Sequence, residues 1–115
     1  MKTTKGTIEL QMFRADNVTA KCVCIGPIAI HKRPRENGKF SAKNYCISNI
    51  TGFRILSLDG WLLRDIIPMV EECLTKIETE NIVVDFKTWE QQARFSTVFT
   101  EMAMKHLRSN YNAKN

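Results

Sequence analysis

Few side chains in this chain are of a type and spacing that could do chemistry. His31, His106, Asp65, Asp85, Glu71, Glu72 and Cys46 are the groups suited to acid–base or nucleophilic work. Such work needs a base and its partner within hydrogen-bond reach. None of them falls in a phosphate loop, a nucleophile elbow, a His-Glu-x-x-His helix or a deaminase-type zinc pattern. Asp85 stands out because it ends an apolar run just ahead of a helix start, and capping the free amides of that helix accounts for it. Glu71-Glu72 read as a solvated helix face, and His106 as an imidazole at the edge of an apolar stripe. Cys22-x-Cys24 offers two thiolates, but a structural zinc site takes two such pairs, or one pair with a spaced His pair. The four cysteines, Cys22, Cys24, Cys46 and Cys73, read as free buried thiols in a reducing compartment. No catalytic residue, metal site or cofactor is expected, and the chain reads as a non-enzyme.

Charge is the exception. Residues 31–43 carry Lys32, Arg33, Arg35, Lys39 and Lys43 against Glu36 alone, while the whole chain holds a net +5. Asn37-Gly38 in their midst fits a type I′ turn, which joins two antiparallel strands. With that pair as the loop, Arg35 faces Phe40, Arg33 faces Ala42, Lys32 faces Lys43, His31 faces Asn44 and Ile30 faces Tyr45. Opposed lysines are destabilising, and an anionic partner is a reason to keep them. Lysines and arginines that neutralise phosphates supply most sequence-independent nucleic-acid affinity, and Phe40 is suited to stacking on a base. Tyr45 falls on the apolar face and is assigned to the core.

The surrounding elements follow from periodicity. Residues 7–13 alternate, with Ile8, Leu10 and Met12 on one face, as in a half-buried strand. Residues 18–25 are β-rich and continue through Ile28-Ala29-Ile30, with Gly26-Pro27 expected to interrupt or bulge the strand. A further strand is expected over residues 52–57. A helix should open near Ser57-Leu58-Asp59, with Leu58, Leu62, Ile66, Met69, Val70, Cys73 and Ile77 as its stripe and Pro68 kinking or dividing it. Asn81 is a stop, and residues 82–86 read as a short buried strand. Thr88-x-x-Gln91 matches a capping box opening a helix whose stripe is Phe95, Val98, Phe99, Met102, His106 and Leu107.

These elements predict an α+β domain, a mainly antiparallel sheet of about four to five strands in the order β-β-β-β-α-β-α, packed on one face by two helices. The 115 residues, 43% hydrophobic and 25% charged, suit one globular domain over 1–115, with residues 109–115 expected to fray. No apolar stretch approaches the ~18 residues of a membrane span, and no apolar signal core follows Met1, so a cytoplasmic location is expected. The functional expectation is a small protein contacting nucleic acid, single-stranded or structured, through the basic hairpin residues Lys32, Arg33, Arg35, Lys39, Phe40 and Lys43. The alternative is a protein-protein interaction module or inhibitor of the phage and mobile-element accessory type, with its arginines on an acidic protein surface. A homodimer is compatible with either.

Overall fold

Gly26 holds φ at +55°, and Pro27 follows with its ring-fixed negative φ. Glycine with positive φ ahead of such a residue is the pattern of a type II′ hairpin turn. Ile25 therefore pairs directly with Ile28, and Gly26-Pro27 joins two strands where an interruption of one strand was expected. The computed structural model describes residues 3–12, 15–35, 39–82 and 84–114. Its strands are β1 (Thr3–Leu10), β2 (Val18–Ile25), β3 (Ile28–Pro34), β4 (Phe40–Asn49) and β5 (Arg54–Leu58), followed by helices α1 (Leu63–Thr79) and α2 (Trp89–Lys114). The strands form one antiparallel sheet in sequence order, so the chain is of the expected α+β class, strands first and helices after.

Alternation sorts the side chains of the sheet. Ile8, Leu10, Ala20, Cys22 and Ala29 form a buried cluster with Met12, Cys24 and Phe40 packed on it. On the opposite face Ile25, Ile28, Ile30, Ile47 and Leu58 are buried. The four residues 50–53 close β4 onto β5 around buried Asn49, whose side-chain oxygen accepts from the Thr51 amide at 2.9 Å and the Thr51 hydroxyl at 2.6 Å. Gly52, at φ +95°, sits against β1, and its carbonyl accepts from the Gln11 amide at 3.0 Å.

The first helix starts later than periodicity suggests. Ser57 and Leu58 belong to β5, Gly60 turns the chain at φ +81°, and the amides of Asp65 and Ile66 bond the Leu62 carbonyl. Pro68 lies inside a single helix. It stands past the first turn, after Ile66 N–H has opened the ladder on Leu62 C=O, so the Arg64 carbonyl lacks the i+4 amide donor that any other residue would supply. Asn81, at φ 56°, ends α1 in a Schellman motif, with Ile82 N–H bonded to Ile77 C=O and Asn81 N–H to Glu78 C=O. The strand expected over 82–86 is absent from its described residues, Val83 lying outside them. Asp85 instead turns the chain, accepting from the amides of Phe86 and Lys87. The capping box is present in both directions: Thr88 N–H reaches Gln91 Oε1 at 3.0 Å and Gln91 N–H reaches Thr88 Oγ1 at 3.2 Å. Beyond it Phe95, Phe99 and Ala103 are buried, and Phe86 meets Phe95 edge to face at 5.2 Å.

Residues 1–66 and 67–115 make two compact units. No described helix is long and apolar enough to cross a membrane.

Candidate functional site

The hairpin register departs from the expected one. Ile30 pairs with Ile47, His31 with Cys46 and Lys32 with Tyr45, and then Pro34 with Phe40. Residues 41–44 of β4 thus stand against Arg33 alone, a wide bulge. Buried Ser41 builds it by accepting from the amides of Asn44 at 3.1 Å and Lys43 at 3.4 Å. Beyond it Arg35 N–H bonds Lys39 C=O at 2.7 Å. Asn37-Gly38 lies outside the described residues, and the opposition of Lys32 and Lys43 is overturned. A slip of two residues at the base preserves which side chains share a face, so Ile30 and Tyr45 still lie on one face while every partner changes.

The basic residues are not equivalent. Arg33 reaches Asp59 through one guanidinium nitrogen, at 3.1 and 3.3 Å from the two carboxylate oxygens. Lys32, Arg35, Lys39 and Lys43 are exposed. Among the described residues no carboxylate forms an ion pair with Lys32, Arg35 or Lys43. Phe40 is half-buried, packed on the Ile8–Leu10–Ala20–Cys22–Ala29 cluster on one side and bordering a cavity between β2 and β3 on the other.

Sequence reasoning missed a second group of cations. The β2–β3 ladder stops at Cys22↔His31, although β2 runs back to Val18 and β3 on to Pro34. The hairpins β1–β2 and β3–β4 therefore part like a fork, and a cavity of about 770 Å³ occupies the opening. Val23, Ile30 and Tyr45 line it, together with Lys5, Lys21 and Lys32 from three successive strands. The register gives the reason: Thr7 pairs with Lys21 on one arm and Lys32 with Tyr45 on the other. Lys5, in register with Val23, shares the face of Ile30. All three lysines are exposed, and no carboxylate among the described residues pairs with them. Tyr45, assigned to the core from sequence, is half-buried on this cavity.

The two histidines and the Cys22–Cys24 pair are each engaged by a neighbouring group. His31 is buried, with Nδ1 2.8 Å from the Lys32 carbonyl and Nε2 2.8 Å from Ser48 Oγ. A carbonyl only accepts, so Nδ1 carries the proton and Ser48 donates to Nε2. Burial pushes the His31 pKa below its usual value, with the Lys32 carbonyl opposing that shift and Arg54 reinforcing it. Ser48 is fully buried, and the Ser–His pair ties β3 to β4, with His31 also among the residues that line the cavity. His106 Nδ1 lies 2.7 Å from Glu72 Oε2. Cys22 and Cys24 bring their sulfurs to 3.4 Å, and burial first, then the neighbouring Cys24 thiol, pushes Cys22 up to about 12, so it stands as a protonated thiol. All four cysteines are free, and the described residues hold no cluster of three or more metal-ligating side chains. Comparison with known proteins finds no matching family, curated protein or solved structure.

Proposed function

We propose that this is a non-enzymatic protein that contacts nucleic acid through the β3–β4 hairpin and the fork beside it. The observation that carries the reading is the set of unneutralised cations on adjoining strands: Lys5, Lys21 and Lys32 on the cavity, with Arg35 and Lys43 toward the hairpin tip. Like charges gathered without counter-charges cost stability, and a phosphate backbone is the partner that repays that cost by releasing its own counterions. Arg33 contributes less than its neighbours because Asp59 already holds it.

The test is a salt series. Fluorescence anisotropy of a labelled oligonucleotide should show log affinity falling linearly with log salt. Five phosphate contacts on a single strand give a slope of about −3 to −4. Absence of binding at low salt refutes the reading. The same cations suit an acidic protein surface, and co-purification with and without nuclease separates the two, since a protein partner survives digestion.

A further inference from the structure

We infer that the fork between β2 and β3 is a seat for one unpaired nucleotide, its base entering the cavity and its phosphates lying on Lys5, Lys21 and Lys32; this rests on the nucleic-acid reading above. Three features of the opening select that occupant. Its volume of about 770 Å³ lies within the roughly 300–1,000 Å³ of small-ligand pockets. Its wall is apolar at Val23 and Ile30 and aromatic at Tyr45, which suits the face of a flat heterocycle. Its rim is cationic on both arms, Lys5 and Lys21 on one and Lys32 on the other, which suits the phosphates on either side of that heterocycle.

The parted strands add hydrogen-bonding capacity. Beyond Cys22↔His31, residues 18–21 and 32–34 no longer pair with each other. Their facing backbone groups are those that a β-ladder would otherwise consume, and a base edge carries both donors and acceptors to meet them. A paired base in a duplex has its edge engaged and its faces stacked, so it must first be flipped out to enter. The seat therefore favours single strands. The hairpin tip, with Arg35 and Lys43 and no such opening, does not distinguish the two forms.

Anisotropy with a labelled twelve-residue thymidine oligonucleotide and with a twelve-base-pair duplex tests this on the full chain at low salt. The single strand should bind more tightly. Tyr45→Ala should weaken it by about ten-fold and leave the duplex unchanged, while Tyr45→Phe retains binding. Arg35→Ala with Lys43→Ala should weaken both probes alike. As a check that needs no variant, thymidine monophosphate should shift the amide resonances of residues 19–23 and 30–32 and not those of 42 and 43, which do not line the cavity. Equal binding of both probes, with the nucleotide shifting none of the fork amides, overturns the seat and leaves the basic hairpin standing. Failure of both probes to bind removes the nucleic-acid reading itself. Displacement of the single strand by poly-glutamate at equal charge, with the same loss in Tyr45→Ala, overturns the seat in favour of an acidic peptide.

Discussion

Lys32 faces Tyr45 across β3 and β4, two residues from the Lys43 that an Asn-Gly loop would have set opposite it. The difference bears on the proposed function. Facing Lys43, the ammonium group would belong to a charged tip in open water, where it serves solubility. Facing Tyr45, it stands at the mouth of an apolar opening that Lys5 and Lys21 also border. On the proposed reading, a cation beside an aromatic ring and a cavity suits a ligand that is both anionic and flat.

Lys21→Gln and Lys32→Gln should each weaken oligonucleotide binding and lower the magnitude of the salt slope by about 0.7 on single strands. Both side chains are exposed, so the fold should be unaffected, with melting temperature unchanged within error. A slope identical to wild type in both variants would show that neither lysine meets a phosphate.

Asp59→Asn should strengthen binding. The carboxylate now holds Arg33 at 3.1 Å, and removing its charge frees the guanidinium for a phosphate and takes a repulsive charge from the site. The gain should be about two- to five-fold with a steeper salt dependence. The pair is solvated, with side-chain exposures of 44% and 55%, so its loss should cost at most about 0.5 kcal/mol. Arg33→Ala, by the same reasoning, should weaken binding less than Lys32→Ala; the reverse order would mean that the ion pair opens on binding.

Local signals were sufficient for the class of fold and for several of its joints. Asn81 as a helix stop and Thr88 with Gln91 as a helix start are short-range hydrogen-bond devices, and such devices are written in adjacent residues. The register of β3 on β4 was not, because the Ser41 hydroxyl gathers two amides into a bulge that no pairing rule for Asn-Gly anticipates. Gly26-Pro27 was read as a break because proline disrupts ladders, although glycine followed by proline also makes a II′ turn. That reading hid the fork. With Ile25 set against Ile28, counting outward brings Lys21 level with Lys32, and the alternation of β1 then adds Lys5. The five basic residues and Phe40 were singled out by composition; the geometry pairs Arg33 with Asp59, sets Phe40 between the core cluster and the cavity, and brings Lys5 and Lys21 to the same opening.

Stability should fall in mild acid through His31. Buried between the Lys32 carbonyl and Ser48, its imidazole has a pKa below the ordinary 6.5. The unfolded chain therefore binds a proton below about pH 6.5 that the folded chain still refuses, so the unfolded state holds more protons and stability rises with pH. The contribution is complete above 6.5 and is lost progressively as pH drops, until the folded state itself takes the proton. Urea midpoints between pH 5 and 7.5 should show this slope, and His31→Gln should flatten it. An equal slope in His31→Gln would show that the effect does not come from this imidazole.

Gly52→Ala should be the most damaging single substitution in the β4–β5 turn. At φ +95° the residue adopts a conformation that side-chain-bearing residues rarely hold, and a Cβ there would run into the Glu9 carbonyl. The obstacle is backbone in β1, which cannot swing aside as a side-chain tip would. Relief requires β1 to move, breaking the bond from Gln11 N–H to Gly52 C=O. Backbone strain and steric overlap together should cost about 2 kcal/mol or more, lowering Tm by on the order of 10 °C. Gly60→Ala is the matched comparison: its φ of +81° is similarly strained, yet nothing lies within 4 Å of the added carbon. Calorimetry on both separates the two causes. Equal losses would mean that the positive φ alone matters and that the approach of Gly52 to β1 contributes nothing.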